Sequence, residues 1–260
     1  MARQYIQKKI KYLMILLISC PLYSQENTIY VLYTKDDELF STYKQELIAT
    51  NDWAVFWNER IIYKGDNVIH KKEDDVGFSI VNTDLDLFKT EIFLDRSNTI
   101  VIRNHKDKEI YDVIDELPEY NWQIHDGQTK TIGGYECTKA TCFFRGTPIV
   151  AYFSTEIPIQ FGPWKFKNLP GLIMELSTLS PTYNTTWRVE QIIYPFKNRE
   201  FGRDINVPKK RITLKEEIEI EEKNFRESDE QSRAMLPEGV TMEESKRVRI
   251  DVEKIYEWEK

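Results

Sequence analysis

The chain has 260 residues, with 43 Asp and Glu against 36 Lys and Arg and a net charge of −7. An acidic balance of this size repels phosphate backbones and anionic lipid headgroups, which argues against nucleic acid or an electrostatically held membrane surface as a partner. Apolar residues make up 41% and aromatic residues 13%, enough for a sizeable core and biased toward β-structure.

The first 24 residues stand apart from the rest. Lys8, Lys9 and Lys11 precede an apolar run from Tyr12 to Leu22 that only Ser19, Cys20 and Pro21 interrupt, and Ser24 supplies a small residue at a cleavage point. This three-part pattern predicts a signal peptide over 1–24, too short and too weakly flanked for a transmembrane anchor, and therefore export to the periplasm or beyond. Leu17-Ile18-Ser19-Cys20 also fits a lipoprotein box in which Cys20 is lipidated, an alternative that Pro21 disfavours. Cleavage after Ser24 would remove Arg3, Lys8, Lys9 and Lys11 and no acid, leaving 32 bases against 43 acids and a net charge of −11.

From Thr28 to Tyr194 strand signals dominate. Thr28 to Tyr33 is rich in β-branched and aromatic residues, and Glu46 to Thr50 and Trp53 to Trp57 flank a turn at Asn51-Asp52. Tyr63 to Asp86, with Gly65-Asp66-Asn67 and the charged run Lys71 to Asp75, reads as a long solvated connection. Phe88 to Asp95 and Thr99 to Asn104 are spaced as a hairpin. Tyr120 to His125, Lys130 to Phe144 and Ile149 to Phe153 follow, with turns at Asp126-Gly127 and Arg145-Gly146, and Trp187 to Tyr194 closes the series. Close strands joined by short turns predict a mainly β, α+β fold: a strongly curved antiparallel meander over 25–200. The remainder, 201–260, is polar and partly helical. Leu214 to Ala234 has no Gly or Pro and a thin apolar face at Leu214, Ile218 and Phe225, with Thr213 and Glu216 spaced as a capping box. Val248 to Val252 could add an edge strand.

Cys137 and Cys142 are the cysteines left after signal removal. Five residues apart in one regular strand, they face opposite ways, so two free thiols are expected unless a bulge lets them bridge.

The most informative stretch is Gly162 to Leu176. Pro158 ends the preceding strand and Gly162-Pro163 turns the chain. Pro170-Gly171 has the composition of a type II turn, with glycine at the position needing positive φ, before Leu172, Met174 and Leu176 resume one face of the sheet. Trp164 and Phe166 either plug the core beneath this loop or present a binding surface. Together, Gly162-Pro163-Trp164-Lys165-Phe166 and Leu169-Pro170-Gly171-Leu172-Ile173 resemble the signature of the GLPGLI family, exported proteins of Bacteroidota. Trp122-Gln123-Ile124, Ile132 to Cys137, the Arg145-Gly146 turn and Thr155 to Ile159 extend the resemblance across about 122–176. Asn168 stands where the hexapeptide has its first glycine. Asparagine is the residue next most tolerant of a left-handed backbone, so the turn should survive. The resemblance implies an exported, β-rich envelope protein and supplies no catalytic residue.

No direct search of the residues supplies one either. His70, His105 and His125 lack metal spacing, and neither Gly-x-Ser-x-Gly nor His-Glu-x-x-His occurs. His125, near Trp122, is the best single histidine, with a structural role the simpler expectation. No catalytic, cofactor-binding or metal residue is assigned and no cofactor is expected. Three readings follow. The first is an envelope binding or assembly module that holds a protein or peptide through Trp122, Trp164, Phe166, Pro170 and Gly171. The second is a carrier of an apolar ligand in a cavity lined by Trp122, Trp164 and Phe166. The third is a hydrolase of unknown type.

Overall fold

The computed structural model describes residues 28–37, 42–64, 68–71, 78–81, 84–106, 109–180, 184–197, 210–237, 240, 242–249 and 252–260. The expected signal peptide, with Cys20, lies outside the described residues.

Fourteen strands are present among them: β1 (Ile29–Asp37), β2 (Thr42–Ala49), β3 (Trp53–Lys64), β4 (Val68–Lys71), β5 (Phe78–Val81), β6 (Asp84–Asp95), β7 (Thr99–Lys106), β8 (Glu109–Glu116), β9 (Gln123–Ile132), β10 (Tyr135–Phe144), β11 (Thr147–Ser154), β12 (Leu172–Thr178), β13 (Thr185–Ile193) and β14 (Lys210–Thr213). Twelve form one sheet in the order β14-β8-β7-β6-β3-β2-β1-β13-β12-β11-β10-β9, and β4 and β5 form a separate ribbon. Every pair is antiparallel except β14 with β8. The fold is thus mainly β, with one α-helix among the described residues, α1 (Leu214–Ala234), as the sequence implies. Thr213 caps α1: its hydroxyl accepts from the Glu216 amide while the Glu216 carboxylate accepts from the Thr213 amide, a complete capping box.

Alternation sets the register. In β1 the side chains of Ile29, Val31 and Tyr33 are buried, and in β11 those of Ile149, Ala151 and Phe153. These faces share one core with Phe56, Ile92, Ile100, Val113, Phe144 and Trp187. The sheet curls enough that its two arms meet: Asp115 on β8, second from one edge, bonds to Arg145 in the turn between β10 and β11 near the other. The outer edges of β14 and β9 carry no partner strand among the described residues, so the sheet is not closed.

Three local expectations are corrected. The connection read over Tyr63 to Asp86 is strand at its described residues: β3 runs to Lys64, β6 starts at Asp84, and β4 pairs with β5 between them. The acidic and basic run from Lys71 masked the β-branched Val68-Ile69 and Ile80-Val81 that form the ribbon. Asp126-Gly127 is no hairpin turn; it lies in a bulge inside β9, where pairing with β10 jumps from Thr129 to His125, and the hairpin turn is at Gly133-Gly134. Of the edge strand expected over Val248 to Val252, Val248, Arg249 and Val252 are not in a strand, and Ile250 and Asp251 lie outside the described residues.

Candidate functional site

The loop between β11 and β12 lies on the inner face of the curled sheet and is held by its own backbone. The Asn168 amide donates to the Gln160 carbonyl at 2.8 Å, the Leu172 amide to Ile157 at 2.9 Å, and Phe161 bridges Lys167. Two non-glycine residues take left-handed conformations to make it fold back, Trp164 at φ 56 and Asn168 at φ 70. Gly171 does not: the type II expectation fails there, and glycine is needed for space. A Cβ at 171 would lie 2.0 Å from the Ser154 carbonyl oxygen at the end of β11.

Phe166 is 0% exposed. Its ring is surrounded by Phe144 at 5.2 Å, Trp164 at 5.7 Å, Tyr120 at 5.9 Å and Trp122 at 6.2 Å between centroids. Two of these rings also fasten the loop's main chain, since Tyr120 Oη donates to the Lys165 carbonyl at 2.6 Å and Trp122 Nε1 to the Lys167 carbonyl at 3.0 Å. The Lys167 ammonium donates to the carbonyls of Asp95 and Ser97 in the β6–β7 turn. The five residues expected to form one surface therefore separate. Phe166 and Gly171 are interior, Trp122 is half-buried with its polar edge used, Pro170 is exposed, and Trp164 is half-buried.

Beside the aromatic plug sits a buried charge cluster. Arg145, at φ 43 in the β10–β11 turn, donates from both Nη atoms to Asp115 at 3.0 and 2.7 Å, from Nη1 to Glu253, and from Nη2 to the Glu116 carbonyl at 3.0 Å. Lys165 Nζ donates to Asp115 at 2.8 Å and to both Glu253 oxygens at 2.9 and 2.8 Å. Burial alone would raise the Asp115 pKa, but Lys165 and Arg145 overcome it and hold the carboxyl below the usual aspartate range. Such groups are tolerated inside only because nearly every charge has its opposite and its hydrogen bonds.

Trp164 and buried Lys165 border a cleft of about 420 Å³ between the inner face of β6–β8, α1 and residues 247–249, 253 and 256. Ile92, Ile102, Leu214 and Ile218 give it an apolar wall. Glu217 supplies a carboxyl that accepts from Tyr111 Oη at 3.0 Å and Asn104 Nδ2 at 3.1 Å. Burial, then the nearby Glu221, pushes the Glu217 pKa up, and burial with Glu217 pushes Tyr111 up to about 12. Arg247 faces the same cleft; one Nη pairs with Glu221 at 2.7 Å, whereas Nη1 is buried without a hydrogen-bond partner among the described residues. A site of this kind can take a ligand with an acceptor for Arg247 and an apolar or aromatic part against Trp164.

Sequence reasoning missed Asp115, Glu217, Arg247 and Glu253, and read Arg145 and Lys165 only as parts of a turn and a motif. The partners are separated by 26 to 113 residues, so no local spacing announces them. His125 Nε2 lies 2.7 Å from Thr141 Oγ1 on the neighbouring strand, a structural contact. Cys137 and Cys142 are free, and burial raises their pKa to about 11 and about 12, which favours the protonated thiols. Among the described residues no cluster of His, Cys, Asp and Glu could hold a metal, and no helix is long and apolar enough to cross a membrane.

No curated protein matches the chain. Of solved structures, PNGF-II in its P21 crystal form aligns with a TM-score of 0.51 at 12% identity, covering 75% of this chain and 33% of that one. The same protein in the C2 form gives 0.45 at 16% identity over 72% and 30%, and LprF from Mycobacterium bovis gives 0.26 at 9% identity over 65% and 86%. The chain spans about a third of the length of PNGF-II, and the likeness to its P21 form is one of fold alone. The model of a family described as a protein of unknown function, Porph_ging, matches residues 144–175, the span that holds Arg145, Trp164, Lys165 and the plug.

Proposed function

We propose that the chain is an exported cell-envelope module that binds a partner protein or peptide and performs no reaction of its own. The observation that carries this is the cleft beside the plug, where the buried Nη1 of Arg247 has no acceptor among the described residues. An orphaned buried donor costs about 1–3 kcal/mol, and a ligand that meets it recovers that cost. Half-buried Trp164 supplies a rigid aromatic contact on the same wall. Of the five residues first considered for binding, Trp164 stays in the site and Pro170 flanks the loop; Phe166 holds them in place. Export rests on the charged and apolar pattern of 1–24, and assignment to the GLPGLI family on the motif and the Asn168 geometry. A carrier role for a wholly apolar ligand has less support, since Phe166 and its neighbours fill the space such a ligand would occupy and the remaining cleft is lined by charge.

The test is photo-crosslinking in the native host from a reactive residue at Ile218 on the cleft wall. The expected result is a discrete protein or peptide adduct that disappears in a Trp164→Ala, Arg247→Ala variant of unchanged circular dichroism. Adducts no different from those formed at exposed Lys223 would overturn the proposal.

A further inference from the structure

Residues 252–260 lie as a strap across the β10–β11 turn. The amides of Lys254 and Ile255 both donate to the Arg145 carbonyl, at 2.8 and 3.0 Å, and Gly146, at φ +86, leaves room for them: a Cβ there would come within 3.1–3.3 Å of their side chains. Glu253 places its carboxylate on Lys165 and Arg145. Three residues on, buried Tyr256 packs its ring against the guanidinium groups of Arg145 at 5.3 Å and Arg249 at 4.9 Å, with Trp258 stacked on it at 4.7 Å. The receiving groups, Arg145, Gly146, Lys165 and Asp115, all belong to the sheet and its plug. With the strap lifted, Asp115 would be the one carboxylate among the described residues still hydrogen-bonded to Arg145 and Lys165, two cations on a single bonded anion, with Glu217 of α1 the next acid near Lys165.

We propose that this groove is a receptor for a peptide segment carrying glutamate followed three residues later by an aromatic residue, and that the strap is its internal occupant. The inference rests on the reading of the chain as a binding module and names the chemistry of its partner. Lys165, Glu253 and Tyr256 also line the cleft, so a peptide entering there meets the groove directly. Charge complementarity selects the glutamate, and the cation-flanked aromatic seat selects the second residue. The covalently joined strap competes at high effective concentration, so the free receptor is revealed only when its hold is weakened.

The experiment uses the full chain carrying Glu253→Gln with Tyr256→Ala, and a fluorescent nine-residue peptide with the sequence of 252–260 as probe. Anisotropy should show binding at least tenfold tighter to the variant than to the unsubstituted protein. A peptide with glutamine at the position of Glu253 should bind neither, and the amides of Lys254 and Ile255 should lose hydrogen-exchange protection in the variant. If the double variant does not fold, Glu253→Gln alone carries the comparison. Absence of peptide binding, equal binding of the glutamine peptide, or undiminished amide protection would each overturn the proposal. A dimer of the unsubstituted chain that the peptide dissociates would assign the groove to a second copy and overturn it as well. Crosslinks from Ile218 that persist while the peptide fails to bind would reject the groove and leave the binding module; peptide exchange without crosslinks would do the reverse.

Discussion

At position 168 a single residue reports how a motif can change its letters and keep its shape. Asn168 is exposed, its backbone is left-handed at φ 70, and its amide closes the loop onto Gln160. A left-handed conformation costs a residue with a Cβ roughly 1–2 kcal/mol, a cost that asparagine lessens through local polar contacts and glycine avoids. Asn168→Ala should therefore lower the free energy of unfolding by about 1 kcal/mol, while Asn168→Gly should leave it within about 0.5 kcal/mol. Urea titration of the two variants measures both. Equal losses for Ala and Gly would show that the asparagine side chain, and not the backbone, holds the turn. Gly171 is the converse case, where the residue is fixed by the Ser154 carbonyl pressed against it and φ plays no part.

Elements differ in how openly the sequence announces them. The helix α1 was legible to its first residue because Thr213 and Glu216 carry a local signal and no Gly or Pro interrupts the run to Ala234. Most strands were legible through alternation, yet β8 was not, since Glu109 to Glu116 mixes acids into its apolar positions. Those acids include Asp115, whose reason for being there is Arg145, thirty residues away. Half of the candidate site was hidden for the same cause: Glu217, Arg247 and Glu253 look like solvated charge until the sheet curls and the strap returns. The visible half, Trp164 and Lys165, came with the motif. α1 buries only Leu214 and Asp229 among its 21 residues, so it leans on its cap and on the pairs Arg247–Glu221 and Arg249–Glu222. Thr213→Ala should cost about 1 kcal/mol, the usual worth of a cap. Because the helix roofs the cleft, hydrogen exchange should accelerate in its first turn before it does in β6 or β7. Acceleration spread evenly over sheet and helix would mean that α1 does not open as a separate unit.

The whole molecule depends on joining two arms of an open sheet, and the joint is a charge cluster of unusual depth. Asp115 comes from one arm, Arg145 from the other, Lys165 from the plug and Glu253 from the strap, so one carboxylate network spans four parts of the chain. A buried pair contributes little over an apolar replacement, but removing one member strands the others, at a cost of about 3–5 kcal/mol. Asp115→Asn should therefore destabilise the protein by an amount in that range at pH 7, leaving Arg145 and Lys165 with Glu253 as their remaining buried carboxylate. The pH dependence has a definite sign. Asp115 titrates lower in the folded chain than the ordinary aspartate value of about 3.9, so its contribution is fully present above that value and is lost as pH falls through the depressed folded value. The gap between the stabilities of Asp115→Asn and the unsubstituted protein should stay constant from pH 7 down to about 5 and narrow below about 4. Denaturant titrations across that range measure it. A gap that narrows already between pH 7 and 6 would place the linkage on another group and remove Asp115 as the anion that ties the arms.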